Sequence, residues 1–414
     1  VAIALVSVRA ILPAQQTVPD YKNAKLTVER RVADLLARMT LEEKCAQLTS
    51  LWDTSATPVR QRIKDKNGRF SPALARQVLP HGLGQISRPG ERQGPREEAE
   101  FTNAVQKFVV EHTRLGIPVT FHEEGLHGHM VPKGTHFPQA IALAGSWNPA
   151  LVERVFTAVA REMRARGVHQ VLAPVLDLGR DPRWGRIEET YGEDPYLVAR
   201  IGAAAIRGFQ GTGEFPGQDR VIATAKHYAV HGQPEAGVNV APGNYSERIV
   251  REQFLYPFQV AVTEAKVASV MPSYNEWDGV PSHSSKLLID RILRHEWGFR
   301  GLIVSDYFGI TDLERLHHVA AGARQAAQLA LETGVDLELP FTAEYGLLPQ
   351  LVREGKVAEA AVDRAVARVL RAKFALGLFD APYVDPAVAE NVVNSAEHRT
   401  LARQAALEAI TLLK

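Results

Sequence analysis

The sequence predicts an α/β protein built as a (β/α)8 barrel of the TIM type. Three observations carry that expectation. Eight short apolar, β-branched runs recur along the 414 residues. Helical patterns separate them, and repeated strand–helix alternation makes a parallel sheet. Polar and charged residues follow the runs directly, where parallel barrels place their chemistry. A doubly wound open sheet is the alternative arrangement of the same elements.

The elements can be justified in order. Val28, Val32, Leu35, Leu36 and Met39 share one helical face. The first strand runs are 47–52, 84–87 and 119–122, the third leading into Glu123, Glu124 and His127. Asn148 with Pro149 is an N-cap followed by proline at the first helical position, and Leu151, Val152, Val155, Phe156, Val159 and Met163 follow at helical spacing. Run 171–176 leads to Asp177, Asp181, Arg183 and Arg186, and run 221–227 ends in Lys226 and His227. Run 268–274 ends at Tyr274, run 301–305 leads to Asp306, and the last run is 335–339. Val362, Val366, Val369, Leu370 and Phe374 form a final stripe, stopped by Gly377. The barrel is therefore expected over 25–379.

The two ends read differently. Residues 1–16, VAIALVSVRAILPAQQ, resemble the remnant of a secretory signal, interrupted by Arg9. A mobile N-terminus is the other reading. A signal implies a periplasmic or extracellular protein. Residues 380–386 are turn-rich and 396–410 read as one more helix. Because the final AITLLK is apolar, 380–414 is expected to be a linker and the start of a truncated second domain.

Composition removes several classes. Lys and Arg number 48 against 47 Asp and Glu, so no general attraction to nucleic acid or an anionic membrane is expected. No run after the N-terminus reaches the length of a membrane span. The single cysteine, Cys45, excludes an internal disulfide or multi-cysteine metal site and reads as a core filler. Phosphate-cradling and dinucleotide-binding glycine patterns are missing, as is Gly-x-Ser-x-Gly. No cofactor is expected. The histidines of segment 122–129 invite a metal, but His122 and His127 are five apart where the zinc helix needs four. No metal site is therefore assigned.

The remaining candidates suit a polyol. Asp306 closes GLIVSDYFG, and a carboxylate at the end of a buried strand is costly unless it is paired or functional. It reads as a nucleophile or base, with a helix cap as the bland alternative. The stretch GRDPRWGRIEETYGEDP is dense in arginine, acid and aromatic side chains, a set that grips hydroxyls and sugar faces. Lys226 and His227 would keep a nearby carboxylate ionised.

Together these motifs resemble glycoside hydrolase family three, the β-glucosidase and β-xylosidase family. MTLEEKCAQL, HEEGLHG, GRDPRWGRIEETYGEDPYL, the Lys226-His227 pair, VMPSYNEWDGVP, GFRGLIVSDYFGI and AVARVLRAKFALGLFD occur in the family's order. The resemblance implies that Asp306 is the catalytic nucleophile. It implies sugar-binding roles for Glu124, Arg186, Lys226 and His227, a tyrosine near the nucleophile at Tyr274, and a looser match at Asp177. The implied activity is exo-acting, retaining hydrolysis of a terminal β-D-glucose or β-D-xylose from an oligosaccharide or other β-glycoside. The implied acid/base sits on a following α/β-sandwich domain, and no Asp-Ser-His loop follows Lys226-His227 to replace it.

Two positions depart from the pattern. Tyr307 stands where many members have tryptophan, and Glu124 where many glucosidases have aspartate. The extra methylene of Glu124 would occupy room that a hexose hydroxymethyl needs, which leans toward a pentose or toward dual specificity. The rival readings are a catalytically silent sugar-binding barrel and a metal-dependent hydrolase built on the 122–129 histidines.

Overall fold

The computed structural model describes residues 18–54, 57–58 and 61–412, so the expected signal remnant at 1–16 lies outside the described residues. The first amphipathic stripe forms the helix Val28–Arg38, with Thr27 capping its N-terminus. Thr40 and Glu43 close the next helix, Leu41–Ala46, in a reciprocal capping box. Asn148 caps Pro149–Ala165 by accepting the Leu151 N–H, as its sequence context predicts. Helix Glu359–Ala375 carries the last stripe, and Gly377 follows it at φ 73°.

Nine strands are present among the described residues. They are β1 (Ser50–Leu51), β2 (Gln85–Ser87), β3 (Thr120–Glu123), β4 (Gln170–Val171), β5 (Ile222–Tyr228), β6 (Ser269–Pro272), β7 (Glu276–Trp277), β8 (Val280–Pro281) and β9 (Leu302–Ile303). Seven of them form one parallel sheet in the order β1-β2-β3-β4-β5-β6-β9. Strands β7 and β8 make a separate antiparallel hairpin that the sequence pattern did not predict.

The eighth expected run, 335–339, contributes a single parallel bridge between Leu337 and Val304 instead of a ladder. On its other side the Glu338 N–H donates to the Leu48 carbonyl at 3.0 Å, and the Thr342 hydroxyl donates to the Ser50 carbonyl. The segment thus touches both edge strands of the sheet.

A buried polar layer marks the sheet's curvature. Gln85 on β2 donates its side-chain amide to Gln170 on β4 at 2.7 Å. Gln170 in turn donates to Thr224 on β5 and Ser269 on β6 at 2.9 and 3.1 Å. Strand β3 lies between β2 and β4, so in a flat sheet these side chains would stand perpendicular and nearly 10 Å apart. They meet because the sheet curls around them. Both Gln170 amide atoms and the Gln85 amide nitrogen find partners there, as buried polar groups generally do, while the Gln85 Oε1 has none.

Helices cover the outside of the sheet around a large apolar core, with a smaller cluster between β1–β3 and the helix Pro95–His112. Cys45 lies in the main core, as a filler. Beyond residue 380 the chain forms helices Pro386–Val392 and Ala396–Glu408. The latter returns to the core through His398, whose ring meets Glu162 at 2.7 Å.

Arg31 fastens the first helix to the end of the last stripe. Its guanidinium makes a bidentate pair with Asp380 at 2.8 Å, donates to the Tyr21 carbonyl and lies over Phe374. Only 4% of the Arg31 side chain is exposed, against 38% of Asp380. Arg31→Met should therefore lower stability by about 2 kcal/mol, the range for buried hydrogen bonds to a charged group. Urea unfolding of both proteins checks this, and an unchanged midpoint would contradict it.

Candidate active site

The C-terminal ends of the strands converge on one buried polar network. Strand β5 supplies its centre. Lys226 donates to Glu124, which follows β3, at 3.0 Å. The next residue, His227, faces Asp177, which follows β4: both its backbone N–H and its ring Nδ1 meet Asp177 Oδ2, at 3.0 and 2.7 Å. Arg186 reaches in from the loop after β4. It grips Glu189 with two parallel bonds at 2.7 and 2.8 Å and directs Nη2 at His227 Nε2, 3.1 Å away.

These contacts fix the state of His227. An arginine can only donate, so Nε2 is the acceptor and Nδ1 carries the hydrogen donated to Asp177. Burial and the neighbouring Arg186 hold this imidazole far below its usual range, in agreement with a neutral ring.

Asp306 enters from the turn after β9. Its Oδ1 accepts the Tyr307 N–H at 2.7 Å, while its backbone N–H donates to His283 Nε2 at 3.0 Å. The other carboxylate oxygen, Oδ2, is buried with no protein partner at hydrogen-bond distance. His227 Nε2 stands 3.7 Å from it. Burial raises the Asp306 carboxyl to about 6, against the pull of Lys226, Arg186 and the Tyr274 hydroxyl. Asp306 is thus mainly ionised at neutral pH. Asp177 is pushed up to about 7 by burial, the His227 N–H opposing the rise. Tyr274, after β6, is itself raised by burial and by the Asp306 charge.

All seven residues singled out by sequence (Asp306, Glu124, Arg186, Lys226, His227, Tyr274 and Asp177) therefore belong to this one network. Tyr307 also borders it. Its hydroxyl pairs with His122 Nε2 at 2.8 Å, and its ring packs on Trp52 with centroids 5.5 Å apart. Phe308 follows with φ 65°, a costly conformation for a bulky residue and one that concentrates at functional sites.

Sequence reasoning missed Glu189 and His283 as parts of this site. Glu189 lay within the dense 179–195 stretch, but nothing distinguished it from Glu188. His231 packs edge-on against His227, with centroids 4.9 Å apart, and donates from Nε2 to the Asn239 carbonyl. His283 belongs to no recognisable motif.

The histidines of the 122–129 segment do not converge on one point. His122 meets Tyr307, His127 meets the Phe137 carbonyl, and His129 is buried beside Glu98. Two groups among the described residues bring ligand-type atoms together: Asp177, His227 and His231, and Glu98, Glu123 and His129. In the first, both His227 nitrogens are already engaged, which leaves no free lone pair. In the second, Glu98 is paired with the buried Arg166 at 2.9 Å, and Lys64 acts on both carboxylates. Glu123 and Glu124 diverge because successive strand residues face opposite ways; Glu123 accepts the Gly90 N–H at 2.9 Å.

The model of the glycosyl hydrolase family 3 N-terminal domain matches residues 40–372. The chain belongs to glycosyl hydrolase family 3. A β-glucosidase structure from Erythrobacter marinus superposes with a TM-score of 0.89 at 40% identity, covering 96% of this chain and 51% of its own. A β-xylosidase of Formosa agariphila is 35% identical over 97% of this chain and 50% of its own length. A periplasmic β-glucosidase of Salmonella typhimurium is 33% identical over 95% and 49%. The chain thus spans about half the length of the curated relatives it matches.

The raised carboxyl of Asp306 has a stability signature. In the unfolded chain an aspartate ionises near pH 3.9. In the fold Asp306 ionises only near 6. Between those values the unfolded chain binds fewer protons, so stability falls as pH rises through this window. The cost is absent below about pH 4 and complete above about pH 7. Asp306→Asn removes the buried charge, so the variant should melt at a higher temperature than the parent near pH 7.5. The gap should close near pH 4. Melting curves at the two pH values check this, and a gap that stays constant would contradict it.

Proposed function

We propose that this chain is the sugar-gripping domain of an exo-acting retaining β-glycosidase that releases terminal β-D-glucose or β-D-xylose. The observation that carries the reading is the free Asp306 Oδ2, ionised, buried and facing Lys226, Arg186 and His227. A carboxylate with one oxygen outside any ion pair or backbone bond, yet surrounded by hydroxyl-binding groups, supports attack over capping. The contacts of segment 337–342 with β9 and with the β1 flank support closure of the sheet as a (β/α)8 barrel.

In this mechanism Asp306 Oδ2 bonds to the anomeric carbon as the glycosidic oxygen leaves with its electron pair. Water then displaces the carboxylate, and two inversions retain configuration. Glu124 and Lys226 accept from and donate to sugar hydroxyls, and Arg186 donates from the same wall. His227, held neutral by Asp177 and Arg186, places its ring beside the nucleophile. The departing oxygen needs a proton, and we assign that donor to a part of the natural protein outside the barrel. The half-length match to the relatives supports this division. We further propose a periplasmic or extracellular location, in line with the Salmonella relative's name. No described helix is long and apolar enough to cross a membrane.

Retention is read by proton NMR of the first sugar released from an aryl β-glycoside by the natural full-length protein. The β-anomer should appear first and mutarotate to the α-anomer. Initial release of the α-anomer would contradict the nucleophilic role of Asp306.

Glu124 sets the choice between sugars in this proposal. Its length crowds the space of a hexose hydroxymethyl, so Glu124→Asp should raise the glucoside-to-xyloside ratio of kcat/KM. One methylene in a pocket is worth about 1–3 kcal/mol, which bounds the change at roughly 10- to 200-fold. An unchanged ratio for the two aryl glycosides would remove the steric argument.

A further inference from the structure

We infer that His283 is a positioning residue, a rigid crossbar that holds the backbone of Asp306 against the end of β6 so that Oδ2 points into the sugar site. The inference rests on the nucleophilic role proposed for Asp306. Three independent observations carry it. First, His283 Nε2 accepts the Asp306 backbone N–H at 3.0 Å. Second, the other ring nitrogen faces the Ser273 carbonyl as a donor, one residue before Tyr274. Ser273 is itself fixed to the end of β5, by its N–H to the Tyr228 carbonyl at 2.8 Å and its hydroxyl to the Ala229 carbonyl at 3.0 Å. Third, a Cβ on Gly309 would stand 2.3–3.0 Å from the three nearest imidazole atoms. Gly309 lies in the Asp306 turn, its N–H donating to the Asp306 carbonyl at 3.0 Å.

The ring therefore sits in a slot between two catalytic segments, accepting from one and donating to the other. Only a neutral imidazole can do both. Burial supplies that state, holding the ring at about 3, and the nearby His317 acts in the same direction. The residue is 2% exposed and contacts neither sugar nor reacting atoms in the proposed mechanism. Its effect passes through the Asp306 backbone and through the strand end that carries Tyr274, the hydroxyl that bears on the nucleophile.

The test compares His283→Leu, His283→Gln and Gly309→Ala in the natural full-length protein, with Asp306→Asn as a control. Leucine fills the slot but satisfies neither the Asp306 N–H nor the Ser273 carbonyl. Glutamine offers one acceptor and one donor. A misplacement of about 1 Å can cost 10²-fold, so His283→Leu should lower kcat on an aryl glycoside by about that factor. KM should stay within about three-fold, since the sugar-binding side chains are untouched. His283→Gln should recover about ten-fold of the loss. Gly309→Ala should lower kcat in the same way by displacing the ring, and should add little in the His283→Leu background, because the two changes act on one contact.

A kcat for His283→Leu within three-fold of the parent overturns the inference. A glutamine variant as impaired as leucine, or a loss confined to KM, does the same. If His283→Leu does not fold, Gly309→Ala decides: parental kcat overturns the inference, and a matching loss at unchanged KM supports it. The control separates the two levels of the argument. Activity retained by Asp306→Asn defeats the proposed function itself. An inactive Asp306→Asn beside a fully active His283→Leu defeats only the crossbar.

Discussion

The site depends on the burial of an ionised carboxylate without a bonded counter-ion. Asp306 Oδ2 has cations around it but none in contact. A full salt bridge would quench the oxygen as a nucleophile, and free hydration would lower its energy before any sugar arrived. The fold avoids both by spending each nearby cation elsewhere. Lys226 is committed to Glu124, and Arg186 to Glu189 and His227. They lower the Asp306 carboxyl through space while Oδ2, the attacking oxygen in the proposed mechanism, stays open. Pre-set charges of this kind need no rearrangement as the reaction proceeds.

Such an arrangement needs residues distant in sequence to be held rigidly. Parallel strands bring Glu124, Asp177, Lys226, Tyr274 and Asp306 to one edge of a curved sheet. Below them the Gln85–Gln170–Thr224–Ser269 layer ties β2, β4, β5 and β6 together. Above it, the segments of the candidate site are fixed by backbone-directed bonds: Asp177 to the His227 N–H, and Asp306 to Tyr307 and His283. Rigid placement of this kind is what positional catalysis requires.

Much of this was legible in sequence, for identifiable reasons. Lys226-His227 ends a seven-residue apolar strand, and the run at 221–227 matches β5 within one residue. Asp306 stood out because an acid at the end of the buried run GLIVS is costly unless it is paired, capping or functional. Other features left no mark. The run at 171–176 shrank to Gln170–Val171 as regular strand; Pro174 has no N–H to give and interrupts the ladder, which resumes as one bridge between Val175 and Lys226. The run at 335–339 contributes a bridge and not a ladder; its Asp336 carboxylate accepts the Ile303 N–H of β9, and Glu338 accepts the N–H groups of Glu344 and Tyr345. The β7–β8 hairpin is only two residues per strand, too short for alternation to register. Gln85 and Gln170 are buried amides in strands, and a pattern of apolar burial reads them as breaks. His283 is a single histidine whose role exists only once the turn at Asp306 is folded beside β6.

The central claim is that Asp306 is the atom donor to a covalent glycosyl-enzyme. Incubation with a 2-deoxy-2-fluoro β-glycoside bearing a dinitrophenyl leaving group addresses it directly. That leaving group is acidic enough to depart without protonation, so the outcome does not depend on where the general acid resides. Peptide mapping by mass spectrometry should place one fluorosugar on the peptide containing Asp306, with the fragment ions confining it to that residue. A label on Glu123, Glu193 or Asp312, with Asp306 unmodified, would contradict the account.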